Sequence, residues 1–79
     1  MKKILIISGG ISKERVISIA TGKQVAKVLS RNKFIVKITE PDFKLFDIIK
    51  QFKPNIIFNA LHGQFGEDGY IQTILQIHW

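Results

Sequence analysis

One imidazole and two adjacent carboxylates, His62, Glu67 and Asp68, alternate with Gly63, Gly66 and Gly69 in the run Asn59–Gly69, which lies between two apolar stretches. Glycines this closely spaced let the backbone turn sharply and approach a ligand with no side chain in the way. Polar groups carried on such a loop by a rigid scaffold are the usual material of binding and catalytic sites. Glu67 is near enough in the chain to accept a hydrogen bond from one ring nitrogen of His62, which would fix the tautomer and raise the basicity of the ring. A lone loop histidine is ordinarily structural or solvated, and a carboxylate partner between glycines puts the functional reading on an equal footing. Asp68 most simply caps a following helix. One imidazole and two carboxylates lack the spacing of a metal-ligand set, so no metal site is expected. His78, near the end of the sequence, is read as incidental.

A second glycine loop, Ser8-Gly9-Gly10-Ile11-Ser12-Lys13-Glu14-Arg15, follows an apolar run at the other end of the chain. Its glycine pair either cradles a phosphate at a helix N-terminus or makes a tight strand-to-helix turn. It matches neither the G-x-G-x-x-G dinucleotide fingerprint nor the G-x-x-x-x-G-K-[ST] phosphate loop. Glu14 is either a partner of the helix dipole or a ligand-binding group. Arg15 is expected to be solvated.

The elements that must position these loops read in order. Residues 3–8, Lys-Ile-Leu-Ile-Ile-Ser, form the continuous aliphatic run of a strand buried on both faces. Ser12 is the expected N-cap of a helix with Glu14 in its first turn. Val16, Ile19, Ala20, Val25, Val28 and Leu29 recur at helical spacing to about Leu29, with Gly22 as a weak point. Phe34–Ile38 is the second strand, with Lys37 turned outward or near an edge. Asp42 is placed to cap a second helix bearing Leu45, Ile48, Ile49 and Phe52 on one face, and Pro54 stops it. Residues 55–60 are the third strand, and a last helix is expected to open near Gly69 and carry Ile71, Ile74 and Leu75.

This alternation defines an α/β fold, an open parallel three-stranded sheet with flanking helices of Rossmann-like type. Right-handed crossovers give the strand order 2-1-3, which makes the loops after the first and third strands neighbours. Ligands bind such sheets at the carboxyl ends of the strands, where the winding reverses. Gly9 to Glu14 and His62 to Gly69 are therefore expected to line one crevice.

Composition narrows the function classes. The 79 residues amount to one small domain or part of a larger one, and 46% apolar content argues against disorder. The sequence has no apolar run of about 20 residues and no signal-peptide block, so a cytoplasmic location is expected. The chain has no cysteine, which agrees with a reducing compartment. The net charge of +6 comes from twelve Lys and Arg, all at or before Lys53 and never in a run longer than two. Such dispersion describes a solvated basic surface and not the clustered patch of a nucleic-acid site.

Gly9-Gly10-Ile11-Ser12-Lys13-Glu14-Arg15 with Ser18, and Ala60-Leu61-His62-Gly63-Gln64-Phe65-Gly66-Glu67-Asp68-Gly69, closely resemble the two N-terminal motifs of D-alanine:D-alanine ligases. The resemblance covers nearly the whole chain but only the first of the three domains of such enzymes. It implies an ATP-grasp ligase of peptidoglycan synthesis, in which ATP phosphorylates the carboxylate of one D-alanine and the amine of a second displaces phosphate. It implies that Glu14 holds the ammonium of the first D-alanine, and that His62 lies near that site, oriented by Glu67. Ser18 would support the first loop, with Gly9, Gly10 and Gly63 shaping the two loops. ATP and Mg²⁺ would bind later domains and not this chain, and the family's usual state is a homodimer. One position departs from the pattern, since Val16 stands where the family commonly has a second glutamate. Residues 1–79 are thus expected to be an incomplete N-terminal, substrate-side domain, inactive alone, with a stand-alone small-ligand binding module as the alternative.

Overall fold

The computed structural model describes residues 2–11, 13–61 and 73–77, with the backbone alone for 73–75. Strand β1 is Lys3–Ile7 and its centre, Ile4, Leu5 and Ile6, is fully covered, as a continuous aliphatic run requires. Helix α1 spans Arg15–Arg31, strand β2 Ile35–Thr39, helix α2 Leu45–Phe52, strand β3 Ile56–Asn59 and strand β4 Thr73–Gln76. The sheet order is β2-β1-β3-β4. β1 pairs in parallel with β2, Lys3 opposite Ile35, and with β3, Ile4 opposite Ile56. The three parallel strands therefore take the 2-1-3 order expected from the sequence, and Lys37 lies exposed on the β2 edge.

The fourth element differs from expectation. Residues 73–76 are not part of a helix. They form β4, antiparallel to β3, with Ile74 opposite Phe58 and Leu75 opposite Ile57. Ile71 and the expected helix start at Gly69 lie outside the described residues. The physical reason is the open edge of β3, whose unpaired N–H and C=O groups are satisfied by a short antiparallel segment. Four residues carry too little periodicity to separate the two readings. Asn55 ties this side of the sheet together, exchanging bonds with Lys3 (2.8 Å each way) and accepting the Ile77 N–H at 2.8 Å.

The faces of the sheet follow from the alternation of side chains along β1. Ile4 and Ile6 form a cluster with Ala60, against which Val25, Ala26 and Leu29 of α1 pack together with Phe34, Val36, Ile56 and Phe58. Lys3 points to the opposite face, and its Nζ lies 5.7 Å from the centre of the Phe52 ring of α2. The helices thus flank the sheet on its two sides. The α2 face is as the sequence indicated, with Leu45, Ile48, Ile49 and Phe52 half-buried and Phe46 exposed.

The face of α1 is the expected one only in part. Ile19, Val25 and Leu29 are half-buried as expected, but Val16 is 78% exposed, Ala20 and Val28 are also exposed, and the fully buried positions are Ser18 and Gly22. The helix begins at Arg15 with Glu14 as its N-cap residue, and Glu14 makes no side-chain capping bond. Ser12 lies outside the described residues. Past Leu29 the helix continues to Arg31 and closes with a Schellman motif. In that motif Lys33 has φ 68°, Phe34 N–H donates to Leu29 C=O at 3.2 Å and Lys33 N–H to Ser30 C=O at 3.2 Å.

Gly22 is a contact residue and not a weak point. A Cβ built there would stand 2.8 Å from both Cβ and Oγ of Ser8, at the end of β1. Gly22→Ala therefore sets a gain in helix propensity of about 1 kcal/mol against overpacking of about 1–3 kcal/mol. Because Ser8 is buried and its Cβ is fixed to the backbone, the overpacking should win and lower stability by about 1–2 kcal/mol in a urea titration. An unchanged or higher midpoint would show that the helix can retreat from the strand at no cost.

Candidate functional site

Three chain segments meet at the carboxyl ends of the parallel strands. β1 runs into Ser8, whose N–H donates to Thr39 C=O at the end of β2 (2.9 Å), and Ala60 N–H donates to Ile7 C=O (2.8 Å). The glycines after Ser8 turn the chain away, with φ 93° at Gly9 and 84° at Gly10, a region that side chains rarely adopt. A Cβ on Gly10 would reach Leu61 Cδ2 at 3.4 Å, so the loops after β1 and β3 are neighbours. That is the juxtaposition inferred from the strand order.

Ser18 makes the connection. Its side chain, on the first turns of α1, has no exposed surface. The hydroxyl accepts the Gly9 N–H at 2.8 Å and donates to the Ala60 carbonyl at 2.7 Å. One buried oxygen thereby fixes the first glycine loop, the helix start and the end of β3 relative to one another. Leu61 is held in turn by its N–H bond to Asn59 Oδ1 at 2.9 Å.

Arg15, expected to be solvated, is 43% exposed in its side chain and is paired as well. Its guanidinium forms a two-pronged ion pair with Glu40, Nη1 to Oε1 and Nη2 to Oε2, the latter at 2.8 Å, and Nη1 also donates to the Gly10 carbonyl at 3.0 Å. The Arg15 hydrogen bonds hold the Glu40 carboxyl below its usual range, and the guanidinium charge and the Gly10 N–H act in the same direction. The same bond raises Arg15. Sequence reasoning missed this pair because its members are 25 residues apart and come together only when β2 lies beside β1.

Glu14 is half-buried at the mouth of this arrangement, and its carbonyl accepts the Ser18 N–H at 2.9 Å to begin α1. His62, Gly63 and Glu67 lie outside the described residues, so the structure brings Glu14, Gly9, Gly10 and Ser18 together and adds Arg15 and Glu40. In the glycine loop the Gly9 N–H is taken by the Ser18 hydroxyl and the Gly10 carbonyl by Arg15. Among the described residues no group of three or more His, Asp or Glu side chains converges as a metal site, and no helix is long and apolar enough to cross a membrane.

An open α/β sheet with its winding reversal at β1 and β3, and with polar groups gathered at the carboxyl ends of those strands, is a Rossmann-like arrangement. No protein-family model matches the chain. Among curated proteins, the D-alanine--D-alanine ligase of Pelagibacter ubique is 69% identical over 75 residues, 95% of this chain and 25% of that protein. The ligases of the same name from Acidiphilium cryptum and Bartonella tribocorum are 44% and 43% identical, each over 95% of this chain and about a quarter of their own length. Across this segment the chain is homologous to proteins named D-alanine--D-alanine ligase, as an N-terminal part of that family would be. It spans about a quarter of the length of the curated relatives it matches.

Two outcomes test the geometry. Ser18→Ala leaves the buried Gly9 N–H and Ala60 C=O without their partner, and should cost about 2–4 kcal/mol in chemical denaturation; a loss no larger than that of an exposed Ser→Ala change would mean that the junction is not structural. The Glu40 pair should also be sensitive to acid. A lowered carboxyl pKa means the pair is complete above the ordinary value of 4.5 and is lost as pH falls through the lower folded value. The Gly10 amide resonance should therefore titrate with a midpoint below 4.5, and a midpoint at or above it would contradict the pairing.

Proposed function

We propose that this chain supplies the substrate side of a D-alanine:D-alanine ligase, binding D-alanine for ATP-dependent peptide-bond formation in peptidoglycan synthesis. The observation that carries this reading is the 69% identity, over 95% of the chain, to a ligase so named. The D-alanine substrate, the further ligase domains, the cytoplasmic setting and the family's homodimeric state come with that reading. Residues 1–79 correspond in it to the N-terminal domain.

Within the reading, Glu14 receives the ammonium of the first D-alanine. Its position supports this, since it is half-buried on a start of α1 that is fixed by Ser18 and Arg15. A carboxylate there selects a substrate with a cationic amine, and partial exclusion of water strengthens the contact. His62 and Glu67 follow Leu61, which abuts Gly10, and in this reading they act as one hydrogen-bonded unit near the same amino acid. The Gly9 N–H is engaged internally and the loop lacks a phosphate-binding motif, and in this reading ATP and Mg²⁺ are assigned to the family's later domains.

A chimera in which residues 1–77 replace the matching segment of the Pelagibacter ubique ligase allows the test. Glu14→Gln keeps the shape and removes the charge, and should cost about 2–4 kcal/mol in kcat/KM for D-alanine, the range for losing one member of a desolvated charge pair. Lys50→Ala, on the exposed side of α2, should change it by less than about 0.5 kcal/mol. The His62→Gln and Glu67→Gln changes should combine to less than the sum of their separate effects. If Glu14→Gln behaves like Lys50→Ala, the assignment of Glu14 to the ammonium fails.

A further inference from the structure

The Arg15–Glu40 pair spans the space that a side chain at Gly9 would fill. A Cβ there would meet Glu40 Oε1 at 2.7 Å and Arg15 Nη1 at 2.9 Å. The pair also holds the second glycine of the loop, with Arg15 Nη1 donating to the Gly10 carbonyl at 3.0 Å. Glu40 stands just past β2 and is linked to the following turn through its own carbonyl, which accepts the Asp42 N–H at 2.9 Å. Arg15 is the residue after Glu14. Its guanidinium is therefore a tether from the loop after β2 to the backbone that carries Glu14.

Two anchors of different kind thus fix the helix start. Ser18 holds it through a buried hydroxyl and the ion pair holds it through the more exposed Arg15, both just after Glu14 in the chain. The Ser18 hydroxyl reaches back to the Gly9 N–H and the Ser18 N–H to the Glu14 carbonyl. The ion pair adds a tether at the Gly10 carbonyl, inside the segment between Gly9 and Glu14.

We propose that Arg15 and Glu40 form a positioning clasp that closes the first glycine loop and orients Glu14 toward the amine of the amino acid substrate. The inference rests on the ligase reading above. Neither residue touches the reacting atoms; both act through Glu14. Because Glu14 contacts an ammonium that is unchanged between bound substrate and transition state, loosening the clasp removes uniform binding and raises KM while leaving kcat in place.

The test uses the same chimera, saturated with ATP. Arg15→Gln and Glu40→Gln should each raise the KM of the first-bound D-alanine about three- to fivefold, the scale of an exposed ion pair, with kcat changed by less than about twofold. The double variant should be no worse than the worse single variant, and Glu40→Asp, which restores the charge, should recover most of the loss. Unchanged KM with a lowered melting temperature would make the pair merely structural and overturn the proposal. Additive effects in the double variant would overturn it too, since the two residues would not then be acting as a unit. A chimera with its native Arg15 and Glu40 that shows no D-alanine-dependent phosphate release would instead overturn the ligase reading, and this inference with it, before any substitution is made.

Discussion

The Ser18 hydroxyl, seated between the Gly9 N–H and the Ala60 carbonyl, is the interaction on which the site geometry depends. A hydroxyl can accept and donate at once, and here both capacities are used between segments 9 and 42 residues away in sequence. The groups it joins are buried and have no water to fall back on, which gives this single side chain its energetic weight. Its position demands a close approach of α1 to the end of β1. That approach is possible because the facing residues are small: Gly22 sits one turn further along the helix and Ser8 lies on the strand. A larger side chain at either position would push the helix outward and pull the hydroxyl away from at least one partner.

The same constraint explains what the first loop can and cannot do. Gly9 and Gly10 have the backbone freedom of a phosphate-binding turn, and α1 starts just beyond them. The Gly9 N–H is nevertheless satisfied from within, by a buried hydroxyl. An anionic ligand on that amide would have to displace Ser18 from it. The proposed role of Glu14, which follows this loop, is that of a carboxylate that attracts a cationic group. This physical bias matches the amino acid substrate of the family to which the segment is homologous.

Much of this fold was legible because its signals are local. The unbroken aliphatic run of β1, the four apolar residues of α2 at helical spacing and the breaker Pro54 each state their structure within a few residues, and the 2-1-3 order follows from the handedness of crossovers. The readings that failed needed tertiary information. Val16, Ala20 and Val28 extend an apolar pattern along α1, but Ser18 and Gly22 are the positions fully buried there, because approach distance outweighs hydrophobicity. Ile74 and Leu75 suit a helix by spacing and a strand by their pairing with β3. For the site, Glu14, Gly9, Gly10 and Ser18 were visible as a motif, whereas Arg15 gave no signal, since the partner that fixes it lies on another strand connection.

We propose that Glu14, at the N-cap of α1, receives the ammonium of D-alanine. The most direct measurement is the carbon resonance of the Glu14 carboxylate, labelled in the chimeric ligase and followed while ligand is added. D-alanine should shift it saturably, whereas propionate, which has the same methyl and carboxylate but no ammonium, should leave it in place. Equal shifts with both ligands, or none with either, would contradict the account.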